Sequence, residues 1–136
     1  MTDDNAGRDG GRVLSPQPGP PFRGPAYEYI CARDNVPLLG AQDGHGDDAI
    51  TQVKLFVPGS RWTLSTCEHE PAEALVFGWI FSPLGADCDE WGYASLHEIA
   101  RLRVPLGLPS ERDLDFAPKS VREARAEHRR LTGEGR

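Results

Sequence analysis

Residues Leu75–Phe81 read LVFGWIF. Successive side chains of a strand point to opposite faces, so a run that is apolar on both is expected where both faces are covered. The stretch is therefore read as an interior strand at the centre of a sheet. Gly78 offers no side chain to pack there and marks a bulge or a close approach by another segment. Working outward, Gln52–Val57 alternates, with Val53, Leu55 and Val57 on one side and Gln52, Lys54 and Phe56 on the other, as a half-buried strand does. Pro58 and Gly59 suit the central positions of a type II turn, Pro presetting its φ and Gly supplying the positive one. That turn returns the chain into a second strand, Trp62–Cys67. On the other side a polar, acidic loop, Ser82–Glu90, leads to a short fourth strand, Trp91–Ala94.

Two helices follow from their caps. Ser95 with Glu98, and Ser120 with Glu123, have the spacing in which a hydroxyl accepts from a first-turn amide while the Glu reaches back to the cap. The first helix carries an apolar stripe of Leu96, Ile99 and Ala100, with Arg101 and Arg103 suiting the negative end of its dipole, and Pro105 stops it. Gly107 and Pro109 form the next turn, and Leu114–Phe116 reads as a brief strand. The last helix has a thin stripe of Val121, Ala124, His128 and Leu131, so it owes its stability to docking on the sheet. The expected fold is α+β: one domain over residues 27–131, a mostly antiparallel sheet of four or five strands, and two capped helices.

Residues 1–26 are expected to be a disordered tail, since the first 25 residues hold five Gly and five Pro and few large apolar side chains. Residues 132–136 are read as a flexible C-terminus. The chain carries 21 acids against 15 bases, a net charge of −6. The excess lies in the body, while residues 119–136 hold six bases against three acids. An acidic body argues against broad nonspecific binding of nucleic acid. Cys31, Cys67 and Cys88 form no C-x-x-C pair and are read as buried free thiols. No apolar leader and no membrane-length apolar run is visible, so a soluble cytoplasmic protein with no membrane association is expected.

Several constellations could carry chemistry. Glu111, Arg112 and Asp113 are read first as a polar lock, the Arg fork binding a carboxylate or the carbonyls left open at the end of the first helix. The rival reading is a small hydrolase site in which Arg112 holds an anion and Glu111 acts as acid or base. His45, Asp47 and Asp48, or Cys67, Glu68 and His69 with Cys88 and His97, lack the ligand spacing of a zinc site, so no metal and no cofactor is expected. Cys67 and His69 alternate onto one strand face but have no third orienting group. Arg122, Arg125 and Arg129 make a basic stripe that could follow phosphates, although Glu123 and Glu127 beside them suit an ordinary salt-bridged face. Trp62, Trp91 and Tyr93 are candidate contact residues, the two Trp at strand ends, whereas Trp79 is assigned to the core.

The chain also carries Lys54-Leu55-Phe56 with Pro58, Trp62-Thr63, Phe77-Gly78, and Gly92-Tyr93 before Ser95-Leu96 and Glu98. It continues with Gly107-Leu108-Pro109 and Glu111-Arg112-Asp113-Leu114 with Phe116 and Pro118. In these motifs it resembles a family of small bacterial proteins described as domain of unknown function twenty-nine fifty-eight, over residues 37 to about 121. It departs from the family where Trp62-Thr63 is followed by Leu64-Ser65 and Gly92-Tyr93 by Ala94-Ser95. The resemblance implies a setting on plasmids and other mobile elements, near conjugation or antirestriction genes. Together these readings lead to an expected non-enzymatic accessory protein of a mobile element that binds another protein, modulation of host defence or conjugation being one version. Nucleic-acid binding through the basic helix and an exposed Trp is the alternative.

Overall fold

The computed structural model describes residues 29–102 and 109–134. The tail expected over 1–26, the Pro105 stop and the Gly107 turn lie outside the described residues. In chain order the strands are β1 (Ile50–Thr51), β2 (Val53–Phe56), β3 (Thr63–Glu70), β4 (Leu75–Phe81), β5 (Glu90–Ser95), β6 (Glu111–Arg112) and β7 (Lys119–Ser120). The helices are α1 (Leu96–Arg101) and α2 (Val121–Thr132). Five strands pair antiparallel in the order β5-β4-β3-β2-β6, and β1 pairs with β7 in a separate two-stranded sheet. This is the α+β domain that the patterning implies.

The turn between β2 and β3 is the expected one: the Ser60 amide donates to the Val57 carbonyl at 3.1 Å, and Gly59 takes φ 82°. The centre of the sheet, however, is β3 and not Leu75–Phe81, which lies one place out beside the edge strand β5. Every residue from Thr63 to His69 is buried although most are polar. Two of the polar side chains are bonded: Thr63 Oγ1 donates to the Arg61 carbonyl at 3.2 Å, and the Glu68 carboxylate accepts two loop amides, whereas Thr66 Oγ1 and the His69 ring have no partner among the described residues. LVFGWIF looks central because it too has apolar neighbours on both faces.

One face carries Val53, Leu55, Leu64 and Val76 and is covered by Leu96, Ile99 and Ala100 of α1 and by Tyr29 and Ile30. Ser95 caps α1, its hydroxyl accepting from the His97 and Glu98 amides. The other face carries Cys67, Trp79 and Trp91 against Ala49 and Val121. Helix α2 starts with the full Ser120/Glu123 box and buries Val121, Ala124 and His128, the last stacked on Phe81 at 3.7 Å. Leu131 does not complete the stripe; it is 68 % exposed, beyond the sheet's edge of cover.

Three further expectations are corrected. Glu111–Arg112 itself is the strand, and Leu114–Phe116 is a turn in which Asp113 accepts from the Asp115 amide at 2.9 Å, leaving Leu114 84 % exposed. Of the thiols only Cys67 is buried; Cys31 is half-buried and Cys88 exposed. Finally, β3 bulges between Thr66 and Glu68, so Glu68 pairs with Phe77 and His69 with Val76. One extra residue shifts the alternation, placing His69 on the α1 face and Cys67 on the opposite one.

Burial leaves ring nitrogens of two histidines unbonded among the described residues: both of His69 and Nδ1 of His128. Loss of hydration pushes both pKa values below 6.5, against a weaker upward pull from Glu70 and Asp34 on His69. The unfolded chain then binds protons that the folded chain refuses. Stability is full above pH 6.5 and is lost as pH falls through the depressed folded values. Urea midpoints measured downward from pH 6.5 toward the carboxylate range should decline, and His69→Leu should flatten that limb. A flat wild-type profile would contradict it.

Candidate functional site

Arg112 sits where β6 pairs with β2, opposite Leu55, and reaches off the sheet to the Cys31–Asn35 turn. Its Nη1 donates to Asp34 Oδ2 at 2.6 Å and to the Tyr29 carbonyl at 3.2 Å, while Nη2 pairs with Asp34 Oδ1. Burial alone would raise the Asp34 pKa, but the Arg112 guanidinium and the Cys31 amide hold the carboxyl below its usual range. At the end of α1 the Ile99 carbonyl accepts the Leu102 amide and, from a different residue than Arg112, the Ser110 hydroxyl at 2.9 Å. Glu111 is exposed, and Asp113 lies 3.7 Å from Lys54 Nζ. The three charged residues thus diverge, with no common focus for a substrate.

The aromatic candidates divide between the two faces. Trp62 packs against the α1-side core and Trp91 against the other, so they form no shared platform. On the second face Phe77 and Trp91 stack at 5.6 Å with planes 10° apart, and Tyr93 leans on Phe77 at 4.8 Å. Trp79 meets Trp91 edge-on at 5.5 Å, and the Arg125 guanidinium lies 4.2 Å above Trp79. Tyr93, on the edge strand, is 63 % exposed.

Beside this row is a cavity of about 370 Å³ lined by Phe77, Trp91, Cys67, Glu68, Ala49 and, from the loop above them, Gln42, Asp43, Gly44 and Gly46. The loop is held firmly. Glu68 accepts from the Gly40 amide at 2.8 Å and the Gln42 amide at 2.6 Å; Gln42 in turn bonds the Ile50 amide and carbonyl and the Cys67 carbonyl. Gly40, Gly44 and Gly46 all take positive φ, which lets the loop turn tightly against the strand. Burial and the neighbouring Glu68 push the Cys67 thiol up to about 12, so it is no thiolate at neutral pH.

The basic stripe is largely committed. Arg122 pairs with Asp48, and Arg125 with Asp47 at 3.2 Å; Arg129 lines a second cavity, about 310 Å³, with Arg61, Asp89, Glu134 and His128. There Arg61 holds Asp89 through Nη1 and Nη2, at 2.6 and 2.9 Å, and Glu134 through Nε and the same Nη2, tying Glu134, beyond α2, to the loop before β5. Among the described residues no three of His, Cys, Asp and Glu gather to hold a metal ion, and no helix is long and apolar enough to cross a membrane.

A family model described as protein of unknown function (DUF2958) matches residues 33–133, which include the sheet, both helices and the residues that line the cavity beside β5. The chain belongs to this family. No curated protein and no solved structure matches it. In this DUF2958 chain the sequence had already singled out Trp91, Tyr93 and Arg125, whereas Glu68, Gln42 and Phe77 were missed as members of one cavity. The available signal was the glycine spacing of Gly40, Gly44 and Gly46, which implies a loop pressed close to something.

Proposed function

We propose that this protein is a non-enzymatic accessory protein of a mobile genetic element that works by binding another protein along β5, modulating host defence or conjugation. The setting rests on the family resemblance. The binding surface rests on one observation: among the described residues β5 is an edge strand, and it presents Tyr93 at 63 % exposure beside Phe77 and Trp91. An open edge offers unpaired backbone groups to an extended segment, and aromatic side chains next to it supply contact area at low entropic cost. Against a hydrolase stand the diverging Glu111, Arg112 and Asp113. Against nucleic-acid binding stand the net charge and the internal pairing of Arg122 and Arg125.

The test is affinity capture from the native host with wild type and with Tyr93→Ala, followed by binding measurements on the recovered partner. Tyr93→Ala should keep a melting temperature within a few degrees of wild type yet weaken the partner by about thirtyfold or more. A partner that binds both proteins equally would exclude β5 as the contact. Binding of single- or double-stranded DNA with a steep salt slope would replace the protein reading by the nucleic-acid one.

A further inference from the structure

We infer that the cavity between β5 and the Gln42–Gly46 loop receives an arginine side chain of the protein partner, an assignment that rests on the protein-binding reading above. The charged residues lining it are Asp43 and Glu68, both acidic, and its aromatic wall is Phe77 and Trp91. Glu68 is 3 % exposed, and its only partners among the described residues are the two backbone amides, one on each oxygen. A carboxylate offers about four acceptor sites, so about two remain on this buried group, which no Lys or Arg among the described residues pairs with. A guanidinium matches what is left. It is planar, stacks on aromatic faces, and donates two parallel N–H bonds to a carboxylate while keeping its charge.

The shape agrees with this ligand. At about 370 Å³ the cavity has the size of a small-ligand pocket and exceeds what one side chain needs, leaving room for the backbone that carries it. Its walls are already fixed by Gln42 and Glu68, so little ordering entropy is lost when it fills. Because Tyr93 leans on Phe77, a segment lying along β5 passes the mouth and can place one side chain inside.

The probe is Nα-acetyl-argininamide, titrated into the isotope-labelled full chain while the Trp91 indole and the Gly44 and Gly46 amides are followed by NMR. Saturable shifts at those groups are expected, with the uncharged Nα-acetyl-norleucinamide roughly tenfold weaker or worse. Glu68→Gln should weaken binding by about tenfold, and Asp43→Asn, which leaves the loop's anchors in place, by roughly threefold. Equal binding of the neutral probe, absence of shifts at these groups, or unchanged affinity in both variants would overturn the assignment. Tighter binding of Nα-acetyl-lysinamide would overturn the choice of arginine. If argininamide fails while the captured partner still needs Tyr93, only this inference falls; if argininamide binds and the partner ignores Tyr93, the edge-strand reading falls instead.

Discussion

Arg112→Leu is expected to lower the melting temperature by roughly 10 °C or more. The Asp34 side chain is only 6 % exposed, and removing the guanidinium leaves its carboxylate buried with a single amide donor, Cys31 N–H, besides the weak thiol contact. Breaking one partner of a buried pair costs about 3 kcal/mol or more, because the remaining charge has lost its compensation. Asp34 has a depressed folded pKa, so its contribution is present above the unfolded value of 3.8 and is lost as pH falls through the folded one. The gap between wild type and variant should therefore be widest near neutrality and close below pH 3.8. Adding Asp34→Leu to the variant should recover part of the loss, since the stranded charge goes with it. Thermal melts of the two variants across pH check both statements. An Arg112→Leu protein as stable as wild type that had lost partner binding would instead make Arg112 part of a site.

What could be read from the chain and what could not divide along the range of the interactions. Ser95, Ser120 with Glu123, and Pro58-Gly59 act on backbone groups two or three residues away, so their caps and turn are fixed by local chemistry. The central strand was misplaced because β3 is polar, and its one buried carboxylate, that of Glu68, is satisfied from far away, by amides 28 and 26 residues earlier. No periodicity carries that information. The Thr66/Glu68 bulge is equally silent in sequence, and it alone separated Cys67 from His69. At Leu114–Phe116 an apolar alternation suggested a strand, but Asp113, two residues before Asp115, offered a competing turn and won. The candidate site follows the same rule. Tyr93 and Trp91 were visible as exposed-type aromatics on a short strand, while the cavity they border exists only once a loop some thirty residues before the β4–β5 pair is laid against it.

Gly78→Ala should destabilise the protein by about 3 kcal/mol or more, enough to cost roughly 12 °C or prevent soluble expression. Gly78 lies between Thr66 of β3 and Gly92 of β5. A Cβ built there would sit 2.8 Å from the Ser65 carbonyl carbon, closer still to its oxygen, and 3.1 Å from the Thr66 Cα. All of these are backbone atoms of the central strand, so relief requires moving β3 against both neighbours. The close approach occurs beside the bulge between Thr66 and Glu68, where only a residue without a side chain fits. Gly92→Ala is the control, because its added Cβ would meet only the Ile80 Cδ1 at 3.0 Å, the end of a side chain that can rotate away. A loss of about 1 kcal/mol is expected for it. Since the same bulge directs Cys67 and Glu68 to the cavity, any Gly78→Ala protein that does fold should also show altered Trp91 indole and Gly44 amide resonances, whereas Gly92→Ala should leave Gly44 unmoved. A Gly78→Ala protein melting within a few degrees of wild type would mean that β3 and β4 do not approach as closely as their register implies.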